Sequence, residues 1–171
     1  MIKPNPIKRS PALVQFSKDH HFALLLIWKI KQGLRFAIQP ERINNYIIFF
    51  FENYLEDHFK EEEEFLFVHL DKNSESGKIA VNDHKVLREI VEDIKSNPKN
   101  ESIATSFADK LEKHIRLEER ELFNELQNTL NESELNIVAK KMETLHPDKK
   151  EDNWKDAFWE ENKKNFFTEK L

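Results

Sequence analysis

Apolar positions along the chain recur at intervals of three and four, and proline or polar clusters break that rhythm at only a few places. Ser10-Pro11 reads as a helix cap followed by proline at the first helical position. From there to about Ala37, the residues Phe16, His20, Ala23, Ile27, Ile30 and Leu34 mark one helix face. Pro40-Glu41 restarts the pattern, with Ile43, Ile47, Phe50, Tyr54, His58, Glu62, Phe65 and His69 as the stripe of a second helix over about 41–70. Residues 71–77 read as a polar loop. A third helix over about 78–97 turns Ala80, His84, Leu87, Val91 and Ile94 inward, and Pro98 ends it. A fourth, over about 100–128, carries Ile103, Phe107, Leu111, His114, Glu118 and Leu122 on one face. Asn131 with Glu134 three residues later forms a capping box that opens a shorter helix, stopped by His146-Pro147. The pattern predicts an all-α fold. Four long helices joined by short loops form an antiparallel up-down-up-down four-helix bundle over 11–128, and 129–171 form a short C-terminal helical appendage packing on it.

Composition supports this reading and removes other classes. Glycine occurs only twice and charged residues make up 35% of the 171 residues, which favours helices over turn-rich sheets. The chain has no cysteine, so disulfides, thiolate catalysis and cysteine-held metal centres are excluded together. A net charge of -5 gives no footprint for nucleic acid. Residues 1–10 lack the apolar stretch of a secretory signal, and no apolar run approaches the ~20 residues of a membrane span. The expectation is a cytoplasmic protein that contacts neither nucleic acid nor membrane.

The inward stripes are not wholly apolar. His20 interrupts the first, His58 and Glu62 the second, His84 the third, and His114 and Glu118 the fourth. Buried imidazoles and carboxylates cost several kcal/mol unless they are paired or hold a metal. A lone histidine on an apolar face is usually a satisfied core residue; one per helix, with His-x-x-x-Glu twice, points instead to metal ligation. Their depths along helices of alternating direction put all six side chains in one layer. A carboxylate has two oxygens, so each glutamate can bridge two ions. Four imidazole nitrogens and four glutamate oxygens then give four protein contacts per ion, and a bridging oxo or hydroxo group makes five. Mixed His/carboxylate ligation with an open position suits iron, or manganese, better than structural zinc.

Ser17-Lys18-Asp19-His20-His21, His58-Phe59-Lys60-Glu61-Glu62, Asn82-Asp83-His84 and His114-Ile115-Arg116-Leu117-Glu118-Glu119 together resemble the hemerythrin-like family, the His-His-Glu cation-binding domain. The resemblance covers about two thirds of the chain, residues 11–128. It implies a four-helix bundle around a non-haem di-iron site that meets O2, NO or peroxide. Oxygen-carrying members have a histidine four residues after the third-helix histidine; this chain has Arg88 there. The resemblance therefore points to the six-ligand version seen in sensing, storage and repair members.

His21 competes with His20, and Glu119 with Glu118. His20 is preferred because it shares the cleaner apolar face and follows an acidic residue, as His84 does. Glu118 is preferred by symmetry with the first His-x-x-x-Glu. Glu63 and Glu64 read as solvated, His69 as a helix-end polar group, and His146 as surface. In the tail, Trp154, Phe158, Trp159, Phe166 and Phe167 are too many aromatics for a free linker. They either pack on the main body or receive a protein partner. Three functions fit: a di-iron binder or sensor of a small diatomic ligand or peroxide; a redox enzyme or iron donor in NO or peroxide detoxification or iron–sulfur repair; and a metal-free interaction protein. No catalytic nucleophile, phosphate loop or acid–base pair stands outside the metal layer.

Overall fold

The computed structural model describes residues 9–145 and 152–161; residues 1–8, His146-Pro147, Phe166 and Phe167 lie outside them. All regular structure among the described residues is helical. Helix α1 spans Pro11–Arg35 and begins, as expected, with proline in its first turn after Ser10. Its end is closed by Ala37 N–H to Leu34 O and Ile38 N–H to Gly33 O. Then α2 (Pro40–Phe50), a π-helical turn (Phe51–Leu55), α3 (Glu56–Glu61), a second π turn (Glu62–Leu66) and a 3₁₀ turn (Phe67–His69) follow without interruption.

Helix α4 covers Glu75–Ser96. It starts earlier than the polar pattern suggests, because Ser74 Oγ accepts the Gly77 N–H and caps it. Helix α5 (Ile103–Leu117) passes through a third π turn (Glu118–Leu122) into α6 (Phe123–Thr129). The expected capping box opens α7 (Glu132–Leu145): Asn131 N–H donates to Glu134 Oε2 at 2.9 Å and Glu134 N–H to Asn131 Oδ1 at 3.0 Å. No helix among the described residues is long and apolar enough to cross a membrane.

The core has two parts, and their order along the chain places the site. The larger gathers residues such as Ile27, Tyr46, Phe50, Leu87, Phe107 and Leu111. The smaller gathers Leu13, Phe16, Leu66, Ala80, Leu122 and Phe123, together with Val138 and Met142 of α7. Along α1 and α4 the chain passes from the smaller cluster to the larger, with His20 and His84 between. Along α2–α3 and α5–α6 it passes from larger to smaller, with Glu62 and Glu118 between. The polar residues thus lie in a layer sealed by apolar side chains on both sides.

The segment 152–161 lies against the larger cluster. Phe158 is buried there, and Trp154 and Trp159 are partly buried around Tyr46. Arg42 donates to Asp156 through Nε at 2.9 Å and to Glu161 at 2.6 Å, which fixes the segment to α2.

Candidate metal centre

Four helical stretches each bring their polar residues to one point. His20, His58, Glu62, His84, His114 and Glu118 are all buried, and both glutamates are 0% exposed. They form two sets: His20, His58, Glu62 and Glu118; and Glu62, His84, His114 and Glu118. Within each set one donor atom per residue lies within 4.8 Å of the others, and the two glutamates belong to both. His20 Nε2 is 3.0 Å from Glu118 and 3.5 Å from Glu62. His58 and His84 place Nε2 3.3 Å from Glu62, and His114 places Nε2 3.3 Å from Glu118.

All four imidazoles therefore turn Nε2 inward. Their Nδ1 atoms face outward, each toward a carboxylate. His20 Nδ1–H donates to Glu119 Oε1 at 2.8 Å and His84 Nδ1–H to Glu63 Oε1 at 2.7 Å. His58 and His114 face Asp19 and Asp83 at 3.6 and 3.8 Å. A carboxylate on Nδ1–H fixes the tautomer and leaves the Nε2 lone pair for a cation.

The arrangement has an internal two-fold logic. In each His-x-x-x-Glu-Glu stretch, the first glutamate points into the layer and the second takes a histidine of another helix. In each Asp-His pair, the histidine enters the layer and the aspartate faces the histidine of the His-x-x-x-Glu. Glu62 and Glu118 each begin a π-helical turn. That widened turn rotates the glutamate relative to the residues after it, a device found at functional sites.

The structure separates the competing residues. His20 lies in the layer, whereas His21 is exposed. Glu118 is inside, and Glu119 is outside it on His20 Nδ1. Glu64 is exposed, but the solvated reading of Glu63 fails: the π turn that starts at Glu62 aims it at His84. His69 ends the 3₁₀ turn and belongs to neither set. Arg88, one turn after His84, donates through Nη1 to Glu63 at 2.9 Å and through Nε to Glu56 at 3.0 Å. The outward carboxylates Asp19, Glu63 and Asp83 escaped sequence reasoning as working parts. The repeated doublets Asp-His and Glu-Glu were the available signal.

The layer is electrostatically unbalanced as it stands. Burial opposes charge on Glu62, but His58, His20 and His84 hold its carboxyl well below the usual range. Burial and the charge of Glu62 push Glu118 up to about 6. Burial also opposes charge on His84, yet the nearby carboxylates of Glu62 and Glu63 raise it to about 9. Burial and the neighbouring His84 charge press His114 well below its ordinary value. His20 Nε2 and all four oxygens of Glu62 and Glu118 are buried without a hydrogen-bond partner. Groups of that kind are rare in folded proteins unless something else satisfies them.

Comparison with protein-family models matches residues 16–146 to the hemerythrin HHE cation binding domain. The chain belongs to the hemerythrin HHE cation-binding family. The match runs from within α1 through α7, so it also takes in the helix that follows the fourth stretch. No curated protein and no solved structure gives a significant match to the chain. A hemerythrin HHE domain is a cation-binding domain, and the two buried His/Glu sets are the groups among the described residues able to hold a metal ion.

Proposed function

We propose that this hemerythrin-like chain is an up-down-up-down four-helix bundle that holds two non-haem iron ions and acts as a binder or sensor of O2, NO or peroxide. The opposite order of the two apolar clusters along alternate helices supports the topology. His20 and His58 would hold one ion and His84 and His114 the other, with Glu62 and Glu118 common to both sets. One observation carries this reading: five donor atoms, His20 Nε2 and the four oxygens of Glu62 and Glu118, are buried together with no hydrogen-bond partner. The donor set fits iron, since imidazole and carboxylate with no thiolate suit it well. Bound iron supplies reversible electron transfer and an exchangeable coordination position for a small molecule.

The chain's own residues do the rest. Glu119 and Glu63 hold the Nδ1 protons of His20 and His84 and so aim Nε2 inward. Phe123 lies parallel to the His20 ring, and Phe59 and Phe67 flank that of His84, which excludes bulk water from the layer. Low local polarity strengthens each charge interaction inside. The aromatic segment around Trp154 and Trp159 is the natural output surface for a sensor, and a protein partner is proposed there.

The test is metal analysis of protein produced with ample iron, with its optical spectrum before and after exposure to O2, NO or peroxide. About two iron ions per chain and a spectrum that responds to one of these molecules are expected. A stoichiometry near zero would remove the proposal.

A further inference from the structure

Two arginines outside the layer stand in matching positions. His20 lies parallel to Phe123, with ring centroids 5.3 Å apart and planes 6° from parallel, while its Nδ1–H donates to Glu119. Arg9 donates through Nη2 to Glu119 Oε2 at 2.8 Å and to its main-chain oxygen at 2.7 Å. The Arg9 guanidinium also sits over Phe123, 5.1 Å from the ring centroid. His84 repeats the pattern. It stacks on Phe59 at 4.0 Å and 13°, donates to Glu63, and Arg88 holds Glu63 while lying 5.8 Å from the Phe59 centroid. In both cases the phenylalanine and the carboxylate are four residues apart on one helical stretch, which also carries the shared glutamate.

The two histidines so equipped belong to different sets, one to each half of the layer. Their partners within each set are held less firmly. Nδ1 of His58 and of His114 has no hydrogen-bond partner, and the nearest aspartates stand at 3.6 and 3.8 Å. Those separations are too long for a hydrogen bond. Glu63 and Glu119 lie at the rim, with side chains 35% and 28% exposed, where an unrestrained glutamate would turn to water. A guanidinium keeps its charge throughout the physiological range and holds a carboxylate in a fixed direction. The stacked ring then prevents the imidazole from tilting.

We propose that Arg9 and Arg88 are positioning residues, each securing one half of the metal centre by clamping the carboxylate and phenylalanine that fix its anchoring histidine. Arg9 does this for the His20/His58 half and Arg88 for the His84/His114 half. This rests on the proposed metal binding, and it goes further: Arg88, one turn after His84, secures that histidine through Glu63. Arg9, from the residues just before α1, does the same for the other half, so each ion depends on a different cation of the chain.

The experiment follows release of iron from the loaded full-length protein to a strong ferrous chelator, for wild type and for R9Q, R88Q, R9K and R88K. In each glutamine variant, one of the two iron equivalents should leave about 10–100-fold faster, the scale of an outer-sphere change, while the other leaves at the wild-type rate. The absorption spectrum of the loaded protein should change with it. The double variant R9Q/R88Q should release both equivalents fast. Lysine should restore part of the slow phase, because an ammonium still holds one carboxylate oxygen. A purely structural role would lower the melting temperature of the metal-free protein and speed both equivalents alike. Release of both equivalents together, or at the wild-type rate in both glutamine variants, would overturn the clamps while leaving metal binding intact. A wild-type chain that takes up no iron would overturn the proposed function itself, and the clamps with it.

Discussion

His84 and His114 face each other with Nε2 atoms 3.1 Å apart. Two neutral nitrogens cannot share that contact without a proton, and two charged rings would repel. The pKa directions resolve it: in the metal-free protein His84 carries the charge, at about 9, and donates to a neutral His114, which burial and His84 hold well below its ordinary value.

A cation must displace that proton. Metal uptake between pH 6.5 and 9 is therefore expected to release a proton from His84, and apparent affinity to rise with pH across this window. The metal-free fold behaves oppositely. Its raised His84 contributes stability that is fully present below the unfolded value near 6.5 and is lost as pH rises through about 9. One such proton changes the stability slope by about 1.4 kcal/mol per pH unit. Thermal melts of metal-free and iron-loaded protein from pH 6 to 9.5 check both signs; curves that run parallel would refute the competition.

Glu118 offers a sharper separation of function from stability. Its carboxyl is fully buried and lies close enough to Glu62 to be pushed up to about 6. Replacing Glu118 with Met keeps the bulk, removes that repulsion and leaves His20 still facing Glu62 and Glu119. Swapping a buried charge for a packed apolar group is often neutral or stabilising. The expected result is loss of iron binding, with the metal-free protein unchanged or stabilised by about 1 kcal/mol in denaturant melts. A destabilisation of about 3 kcal/mol or more would instead mark Glu118 as a structural ion-pair partner.

The elements were legible where local chemistry decides them. The Asn131–Glu134 box, proline at the start of α1, and the inward set Ala80, His84, Leu87, Val91 and Ile94 all stand where the spacing puts them. The spacing of three and four fails at the first two π turns, while at the third Leu122 is buried where the stripe puts it. Each of the first two takes in one extra residue, so the buried position moves from Tyr54 to Leu55 and from Phe65 to Leu66. No propensity announces such a turn; two of the three begin at the glutamates that enter the layer, Glu62 and Glu118. Asp19, Glu63, Asp83 and Glu119 were equally hard to read, since an outward carboxylate looks like a solvated face until the neighbouring helix is in place.

Gly33 tests the docking of the C-terminal segment. A Cβ there would lie 2.7 Å from Phe158 Cε2 and 2.9 Å from Ile43 Cδ1. Glycine to alanine within a helix ordinarily gains about 1 kcal/mol. Here the clash should reverse the sign, with a net loss of about 1–3 kcal/mol. Displacement of the segment should appear as red-shifted tryptophan fluorescence from Trp154 and Trp159. Iron content should hold, because Gly33 is more than three turns along α1 from His20. An unchanged spectrum with higher stability would mean that Phe158 does not occupy this contact in solution.

Lys29 and Asp152 form the other anchor of that segment. Lys29 is only 7% exposed, and its ammonium donates to Asp152 at 2.5 Å and to the Tyr46 hydroxyl at 3.0 Å, with the Trp159 ring 4.0 Å away. Burial opposes the Asp152 charge, but Lys29 and Tyr46 hold its carboxyl below the ordinary value of 3.8. A depressed carboxylate contributes stability that is present above its unfolded pKa and lost as pH falls through the folded one. Docking should therefore survive to about pH 4 and fail only in stronger acid. The pair also predicts an order among variants. Asp152→Ala leaves a buried ammonium without its anion, and breaking a buried pair in this way costs about 3–5 kcal/mol. Lys29→Met combined with Asp152→Ala removes both charges and keeps an apolar side chain of similar length against Trp159. The double variant should therefore be more stable than Asp152→Ala alone. Denaturant melts of the three proteins decide it: if the double variant is the least stable, the two side chains act independently, and the segment is held by its aromatic rings instead of this ion pair.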